Sequence, residues 1–501
     1  MAVNYLLQAL QIVMSPVNFL TLIVSVFFGL IVGMLPGLTS TMAVALLTGL
    51  TFSLSKETAI VSLIGVYVGS ISGGCQSAIL LNIPGTPASA ATAMDGHPLS
   101  KQGKAGLAIF TATAASALGT ILSVICVLTL TPFLSGVGLK FQTYEFFLLA
   151  LFGIVICGNL ASNGDPLKGW MAGFMGLLVA QVGLDTVGAY PRFSFGILNL
   201  KAGLQLIPMM IALFGFPEIL RSFQKDEGSI LEMTKLDIKE GLLLIKKNIA
   251  AIVRSSLIGV FVGIVPGVGE DIGGWLSYWA TKTLSKEPEK FGKGAYEGVI
   301  SAESGNNACV GGAVIPVLSL AVPGSTSAAV LLAAFWLHGY RPGPLLMSET
   351  PEFLYQIAIY LLVSSIAMFF LALLVSKITV KILSLKKETL MPAIFVFCVL
   401  GSYVIRGNFF DIKVMFIFGI IGFLLSYAKF PAAPFLLGLV LGNMADSNLR
   451  RGLKLSNGGL LPYVTRPICL FFVIVITCLI LSQFGVFNKL KKRKYNHERT
   501  E

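Results

Sequence analysis

The stretch GLIVGMLPGLTST at residues 29–41 contains the pattern Gly-x-x-x-Gly-x-x-Pro-Gly, and GVFVGIVPGVG at residues 259–269 repeats that pattern 230 positions later. Each copy is followed by a second Pro-Gly pair, within residues 82–87 and 321–326, and all four pairs interrupt apolar sequence. Proline removes a backbone donor and opposes the preceding helical turn, while glycine permits dihedral angles closed to other residues. A helix is therefore expected to end at each pair.

Apolar segments long enough to cross a bilayer recur along the whole chain. Of its 501 residues, 55% are hydrophobic and 12% are charged, whereas about a quarter of the residues in soluble globular proteins are charged. Segments of about 20 apolar residues cross a membrane as helices. We predict an all-α integral membrane protein, a polytopic helical transporter of about ten to twelve spans with two sequence repeats and Pro-Gly-broken or re-entrant helices.

The formal net charge of +12 comes from lysines and arginines that lie between the apolar segments and at the C-terminus. This distribution is typical of membrane proteins, whose cytoplasmic loops are basic, and we expect no nucleic-acid partner. A long polar segment cannot remain in hydrocarbon, so residues 221–248 are interpreted as a cytoplasmic linker. The predicted organisation is a first repeat with its following spans (1–220), the linker (221–248), the core of a second repeat (249–345), remaining spans (346–486) and a basic cytoplasmic tail (487–501).

The residues that follow the breaks are typical of helix starts. Thr39 or Ser40, Thr86 before Pro87, and Ser325 are predicted N-caps. A helix N-terminus carries about half a positive charge and unpaired N–H donors, which suit a carboxylate or phosphate. Paired interrupted helices indicate the substrate site of a repeat transporter. The predicted substrate-binding residues are Pro36, Gly37, Thr39, Ser40, Thr41, Asn82, Pro84, Gly85, Thr86, Pro87, Ser89, Pro266, Gly267, Gly269, Asn306, Asn307, Pro323, Gly324, Ser325 and Thr326.

Several polar residues near the breaks allow two interpretations. Glu270 and Asp271 are candidates for binding a coupling cation, or they are solvated at the mouth of a cavity. Glu303 is a third candidate for the coupling ion, or it lies at the membrane surface. Asn306 and Asn307 are either ligands or hydrogen-bonding groups between helices.

Other motifs have a simpler structural interpretation. Gly-x-x-x-Gly is often only a helix-packing motif, which is the preferred interpretation of the glycine pairs taken alone. Asp95-Gly96 is interpreted as a turn, and His97 and His338 as structural residues of Gly- and Pro-rich turns. No catalytic residue, metal site or cofactor is predicted beyond Na⁺ or H⁺ as the coupling ion, and the seven cysteines form no metal-binding pair.

Taken together, the motifs of residues 25–345 resemble the large membrane subunit of the tripartite tricarboxylate transporters, the TctA family. Three residues differ from the usual family pattern: Glu270 and Asp271 stand where small or apolar residues are expected, and Ala321 stands where glycine is usual. The stretches that carry the resemblance are GMLPGLTSTMA (33–43), GSISGG (69–74), ILLNIPGTP (79–87), Asp95-Gly96 with Lys101 and residues 103–105, FGKG (291–294) with residues 297–299, Glu303-Ser304 with residues 306–308, and His338-Gly339 with residues 342–344.

The resemblance implies a permease of the bacterial inner membrane that imports di- or tricarboxylates such as citrate by ion-coupled symport. It also implies two partners, a small membrane subunit (TctB-like) and an extracytoplasmic solute-binding protein (TctC-like). One alternative is a stand-alone carrier of organic anions. Another is an integral-membrane enzyme acting on lipid-linked substrates, which would need a cluster of His, Asp, Glu or Arg at one membrane face.

Overall fold

The computed structural model describes residues 2–35, 37–161, 165–221, 236–383 and 387–483. Helices account for most of these residues, together with one antiparallel pair of two-residue strands, β1 (Gly183–Leu184) and β2 (Pro191–Arg192). Short 3-10 turns lie at Thr51–Ser53, Pro87–Ser89 and Pro288–Lys290. The helices, numbered in chain order, are α1 (Ala2–Val13), α2 (Pro16–Met34), α3 (Ser40–Leu50), α4 (Lys56–Leu81), α5 (Ala90–Lys101), α6 (Ala105–Gly138), α7 (Thr143–Leu160), α8 (Pro166–Val179), α9 (Leu198–Lys201), α10 (Leu206–Arg221), α11 (Ile238–Lys247), α12 (Ile249–Ile264), α13 (Gly269–Leu284), α14 (Tyr296–Leu320), α15 (Thr326–Leu337), α16 (Leu346–Glu349), α17 (Pro351–Ser376), α18 (Thr379–Leu383), α19 (Lys387–Val404), α20 (Phe409–Tyr427), α21 (Ala432–Leu455), α22 (Pro462–Thr465) and α23 (Pro467–Gln483).

Six helices in the described part of the chain are long and apolar enough to cross a membrane: α2, α4, α6, α7, α17 and α20. A seventh span is possible if α11 and α12, which meet at an angle of 69°, form one broken span. The prediction of an all-α polytopic membrane protein is confirmed. The predicted span count is larger than six, and α3, α15 and other apolar helices of 10–17 residues are too short to be counted as spans by themselves.

Contacts divide the chain into two compact units. Unit one comprises Met1–Leu139 and Gln205–Leu424, and unit two comprises Lys140–Leu204 and Leu425–Glu501. All four Pro-Gly pairs lie in unit one. Within unit one, we call residues 16–138 segment one and residues 249–337 segment two, because each contains one copy of the repeated pattern.

Helices end at all four breaks of unit one. In segment one, α2 ends at Met34 and α4 ends at Leu81, where Asn82 adopts a left-handed conformation with φ 58°. In segment two, α12 ends at Ile264 and α14 ends at Leu320, where Ala321 is left-handed with φ 55°. The predicted site residue Pro36 lies outside the described residues.

The glycines before the breaks allow backbones to approach closely, as predicted for a packing motif. A Cβ atom on Gly33 would lie 2.0 Å from the carbonyl oxygen of Ser70, and one on Gly263 would lie 2.7 Å from that of Cys309. The glycine of each second break packs on the glycine that precedes the first break of the same segment. A Cβ on Gly85 would lie 2.0 Å from the oxygen of Gly33, and one on Gly324 would lie 1.9 Å from that of Gly263.

One local prediction is wrong. Asp95-Gly96 does not form a turn, because both residues lie inside α5, which continues through His97 and Pro98 to Lys101. Asp-Gly is typical of turns when its side chain bonds to nearby backbone. Here the Asp95 side chain is fully buried and bonds to residues far along the chain instead.

Of the predicted linker, residues 222–235 lie outside the described residues, and α11 occupies its second half.

Unit two contains a partly buried ion-pair cluster that the sequence did not indicate. Arg192 bonds to Asp185 and to Asp446, the latter at 2.8 Å, and Arg450 also bonds to Asp185. Burial alone would raise the pKa of Asp185, but hydrogen bonds from Arg450 and Gly188, with the charge of Arg192, hold that pKa below its ordinary value. The cluster connects the loop that carries β1 and β2 to α21 within unit two.

Candidate substrate site

Two of the broken helices begin with side-chain N-caps. The Thr39 hydroxyl accepts a hydrogen bond from the backbone N–H of Met42 at 3.2 Å, so Thr39 caps α3. The Ser325 hydroxyl accepts from the N–H of Ala328 at 3.1 Å and caps α15. These two predicted caps are confirmed. Each cap satisfies one of the N–H groups that a helix N-terminus leaves unpaired.

The N-termini of α3 and α15 meet through their side-chain hydroxyls. The oxygens of Ser40 and Ser327 are 2.8 Å apart, and those of Thr41 and Thr326 are 2.7 Å apart. Thr41 also lies 3.2 Å from Ser327. We call these four residues the hydroxyl contact. Because a hydroxyl both donates and accepts, each member is able to exchange its present partner for an oxyanion.

A carboxylate lies beside this contact. Glu270, the second residue of α13, accepts hydrogen bonds from the hydroxyls of Tyr67 and Ser325, the latter at 2.9 Å. Its side chain is buried, and in the described part of the chain no lysine or arginine forms an ion pair with it. Gly269 comes close to the α15 cap, since a Cβ on it would lie 2.9 Å from that of Ser325. The neighbouring Asp271 is exposed.

A second buried carboxylate, Glu303 of α14, is surrounded by four side-chain donors. Thr92 of α5 donates to one carboxylate oxygen, and Ser116 of α6 donates to the other at 2.7 Å. The amides of Asn306 and Asn307 donate at 3.4 and 3.2 Å. An ionised carboxylate has about four acceptor positions, so these donors satisfy Glu303 without a cation.

The same asparagines connect α14 to segment one. The Asn306 amide donates to the backbone oxygen of Ala88 at 3.1 Å, and the Asn307 side-chain oxygen accepts from the hydroxyl of Ser72 at 2.6 Å. Both asparagines are fully buried. They therefore act as hydrogen-bonding groups between helices, which was one of the two interpretations open from the sequence.

The second break of segment one differs from the other helix starts. Thr86 precedes the 3-10 turn Pro87–Ser89, as the predicted cap should, but its hydroxyl is buried and forms no hydrogen bond. Ser89 donates to the backbone oxygen of Thr86 at 2.9 Å. Asn82 is exposed at the end of α4.

The structure brings together part of the predicted site. One group of predicted residues lies at or beside the hydroxyl contact: Thr39, Ser40, Thr41, Gly269, Glu270, Ser325 and Thr326. A separate cluster contains Glu303, Asn306 and Asn307. Gly37 and Gly267 have positive φ angles of 97° and 74° at the two first breaks. Pro266 and Pro323-Gly324 are buried in their breaks, and Pro84 is half-buried before the buried Gly85.

Sequence reasoning missed five hydroxyl-bearing partners: Ser327, Tyr67, Thr92, Ser116 and Ser72. Ser327 follows the predicted Ser325 and Thr326 directly, so the run of three hydroxyls was a usable signal. The other four lie on helices whose sequence gives no sign of the partner, because that partner is far along the chain.

Helices long and apolar enough to cross a membrane, together with a buried polar centre built on broken helices, define this chain as a multi-pass membrane protein. The chain belongs to the tripartite tricarboxylate transporter TctA family, whose model matches residues 19–437. The resemblance found in the sequence motifs is thereby confirmed. Because this is a family of transporters, the match favours transport over the integral-membrane enzyme.

Two curated relatives come from Agrobacterium vitis. The chain is 35% identical over 474 residues to an "Uncharacterized 52.8 kDa protein in TAR-I ttuC' 3'region", with 94% of each chain covered. It is 35% identical over 225 residues to an "Uncharacterized protein in TAR-II ttuC' 3'region", which covers 45% of this chain and 93% of the relative. No solved structure matches the chain.

Proposed function

We propose that this chain is the large permease subunit of a tripartite, ion-coupled importer of di- or tricarboxylates in a bacterial inner membrane. An extracytoplasmic solute-binding protein would deliver the substrate, and a small membrane subunit would complete the complex. The family's description as tripartite supports the existence of other subunits. The motif resemblance supports their identity as TctB-like and TctC-like proteins. The basic residues of the tail (487–501) support the cytoplasmic orientation of the C-terminus.

The observation that carries the substrate class is the hydroxyl contact. Two helix N-termini, of α3 and α15, meet there with four hydroxyls and without a buried lysine or arginine among their hydrogen-bond partners in the described residues. Helix N-termini favour negative charge, and their N–H groups suit carboxylate oxygens. A carboxylate inserted between the two N-termini would replace the hydroxyl pairs with charge-assisted hydrogen bonds, which are stronger.

Matched contacts support the interpretation of segments one and two as copies of one unit. In segment one, Gly33 packs on Ser70. In segment two, Gly263 packs on Cys309. Gly263 lies 230 positions after Gly33, and Cys309 lies 239 positions after Ser70. Gly29 packs on Val66 and Gly259 packs on Gly305 with the same two offsets. Such repeats hold substrate at their interface and change access by moving one part against another.

We assign the coupling ion to Glu270 in preference to Glu303. The substrate carboxylate and Glu270 would both lie at the α15 cap, where their negative charges would repel each other. A proton or a Na⁺ on Glu270 removes this repulsion, so ion and substrate each raise the affinity of the other. Glu303 already has four donors, which leaves less reason for it to take up a cation.

Uptake of radiolabelled carboxylates into proteoliposomes tests this proposal. We expect uptake of one or more di- or tricarboxylates that requires an inward Na⁺ or H⁺ gradient and the solute-binding protein. Uptake without the binding protein would instead support a stand-alone carrier. Absence of uptake for every carboxylate, with the complete complex and either gradient, would contradict the proposed substrate class.

A further inference from the structure

One face of α5, together with the residues that flank the helix, bonds to segment two through several polar groups. At its start, the backbone oxygen of Ala88 accepts from Asn306, and one turn later Thr92 donates to Glu303. Asp95 follows at the next turn, and beyond the helix Gln102 donates to the backbone oxygen of Lys293 at 3.0 Å. Positions 88, 92, 95 and 102 share one helical face. We call the contacts of this face the α5 seam.

Asp95 makes the most extensive of these contacts. One of its carboxylate oxygens accepts backbone N–H bonds from Gly292, Gly294 and Ala295 at 2.8, 2.9 and 2.9 Å. The other oxygen accepts from the hydroxyl of Tyr278 at 2.9 Å. The loop of residues 291–295 is thus an anion-binding nest of the kind that successive backbone N–H groups form. In this protein a side chain of segment one occupies it.

The glycines of the nest are required by its geometry. Gly292 and Gly294 have φ angles of 82° and 108°, in a region that side chains with a Cβ rarely adopt. Gly298 leaves room for the carboxylate, since a Cβ on it would lie 2.2 Å from an oxygen of Asp95. Two motifs that the substrate site does not use therefore form one contact. They are FGKG (291–294) and the Asp-Gly motif of α5.

The opposite face of α5 has different chemistry. Gly96 packs against the side chain of Ile79, and His97 lies 3.2 Å from the backbone oxygen of the same residue. The close packing of Gly96 on Ile79 and the hydrogen-bond contact of His97 hold α5 to α4 of its own segment. Close-packed apolar surfaces do not open readily, whereas hydrogen-bonded groups that become exposed are able to replace their protein partners with water.

We infer that the α5 seam opens and closes in each transport cycle, and that Asp95 is the positioning residue that restores the closed geometry. This inference rests on the proposed transport function. The three N–H donors belong to one short loop, so the carboxylate gains or loses all of them together. A contact of this kind has two discrete states, which is the property that a switching interface needs. In the closed state the seam fixes the position of Thr92 and Ala88 against the Glu303 cluster.

A reversible cross-link tests whether the seam must open. Gln102 and Lys293 are both exposed, so Gln102→Cys with Lys293→Cys, in a Cys478→Ser background that removes the exposed native cysteine, allows a bis-maleimide with a reducible linker to join the two sides. We expect the cross-link to reduce carboxylate uptake about tenfold or more, and reductant to restore it. The matched control is Glu287→Cys with Lys290→Cys, which joins two exposed residues of the same turn without crossing the seam.

A second readout does not depend on uptake. Ala91 is fully buried beside Tyr278 and Phe291, so a cysteine there is reached by a small thiol reagent only when the seam opens. We expect Ala91→Cys to be labelled several-fold faster when Asp95→Asn removes the charge that the nest holds. Tyr278→Phe, which removes one of four donors, should have a smaller effect.

These outcomes separate the inference from the proposed function. Normal uptake by the cross-linked protein would overturn the inference while leaving carboxylate transport intact. Equal labelling of Ala91→Cys with and without Asp95→Asn would overturn it as well. If the uncross-linked protein takes up no carboxylate, the proposed function fails, and the labelling rates still decide whether the seam opens.

Discussion

The hydroxyl contact and the α5 seam both join segment one to segment two, but they are built from different groups. The hydroxyl contact joins neutral side chains to one another, as in Ser40 with Ser327. The α5 seam includes two buried carboxylates with four donors each: Asp95 of α5, and Glu303, for which Thr92 is the one donor that lies on α5. Neutral pairs contribute little net free energy and exchange partners readily, whereas bonds to a charged group are roughly twice as strong.

This difference suggests a division of roles between the two contacts. A site that must release its substrate benefits from weak pairs that close again after the anion leaves. A contact that must return to one closed geometry after each opening benefits from strong bonds that form and break together. A Pro-Gly break followed by hydroxyl residues therefore precedes both contacts. We expect substitutions in the two contacts to change the stability of the protein by different amounts.

The largest expected effect comes from the glycines of the two second breaks. Gly85→Ala and Gly324→Ala each place a Cβ within about 2 Å of a backbone carbonyl oxygen, and we expect each to lower the free energy of unfolding by about 3 kcal/mol or more. Thermal unfolding of the purified protein measures this loss. Gly136→Ala is the matched control, because a Cβ there meets nothing within 4 Å. Equal melting temperatures for all three variants would refute the packing described for both breaks.

The next effect separates the acidic contact from the neutral one. Glu303→Ala leaves four buried donors without their acceptor, and we expect a loss of about 3 kcal/mol in unfolding free energy. Glu303→Gln preserves the shape and one acceptor oxygen, so its loss should be smaller. The control is Glu287→Ala, which removes an exposed carboxylate. A Glu303→Ala protein as stable as this control would show that the cluster around Glu303 is not held by its carboxylate.

Substitutions in the hydroxyl contact should have a smaller effect on stability. Thr41→Val and Ser327→Ala each remove one neutral hydrogen-bonding group, at an expected cost of about 1 kcal/mol. Thr129→Val is the control, because the Thr129 hydroxyl is exposed and bonds only within its own helix. Losses as large as that of Glu303→Ala would remove the contrast between the two contacts.

The smallest effect concerns the ends of α4 and α14. Asn82 and Ala321 are both left-handed, and asparagine tolerates this conformation whereas alanine is strained in it. We therefore expect Ala321→Gly to stabilise the protein by about 1 kcal/mol, and Asn82→Gly to change its stability by less than about 0.5 kcal/mol. Denaturation midpoints compare the two variants. A destabilising Ala321→Gly would contradict the strain assigned to this helix end.

The sequence predicted the features that depend on neighbouring residues. Helix ends at the Pro-Gly pairs and the caps at Thr39 and Ser325 follow from local backbone chemistry. Pairing across the chain was not predictable in this way, since Ser40 and Ser327 are 287 positions apart. Asp95 shows the limit of local reasoning: Asp-Gly is typical of a turn, but the donors that bind the Asp95 carboxylate lie 183 to 200 positions away.

Equilibrium binding of a transported carboxylate to the purified protein tests the central claim most directly. Thr41→Val with Thr326→Val removes one hydroxyl from each of the two helix N-termini while keeping the side-chain shape. The hydroxyl contact predicts an affinity about tenfold or more below that of the unmodified protein, because bonds from hydroxyls to a charged oxyanion are lost. Thr129→Val, outside the site, should bind as the unmodified protein does. Unchanged affinity in the double variant, with its fold intact, would contradict the assignment of this contact as the substrate site.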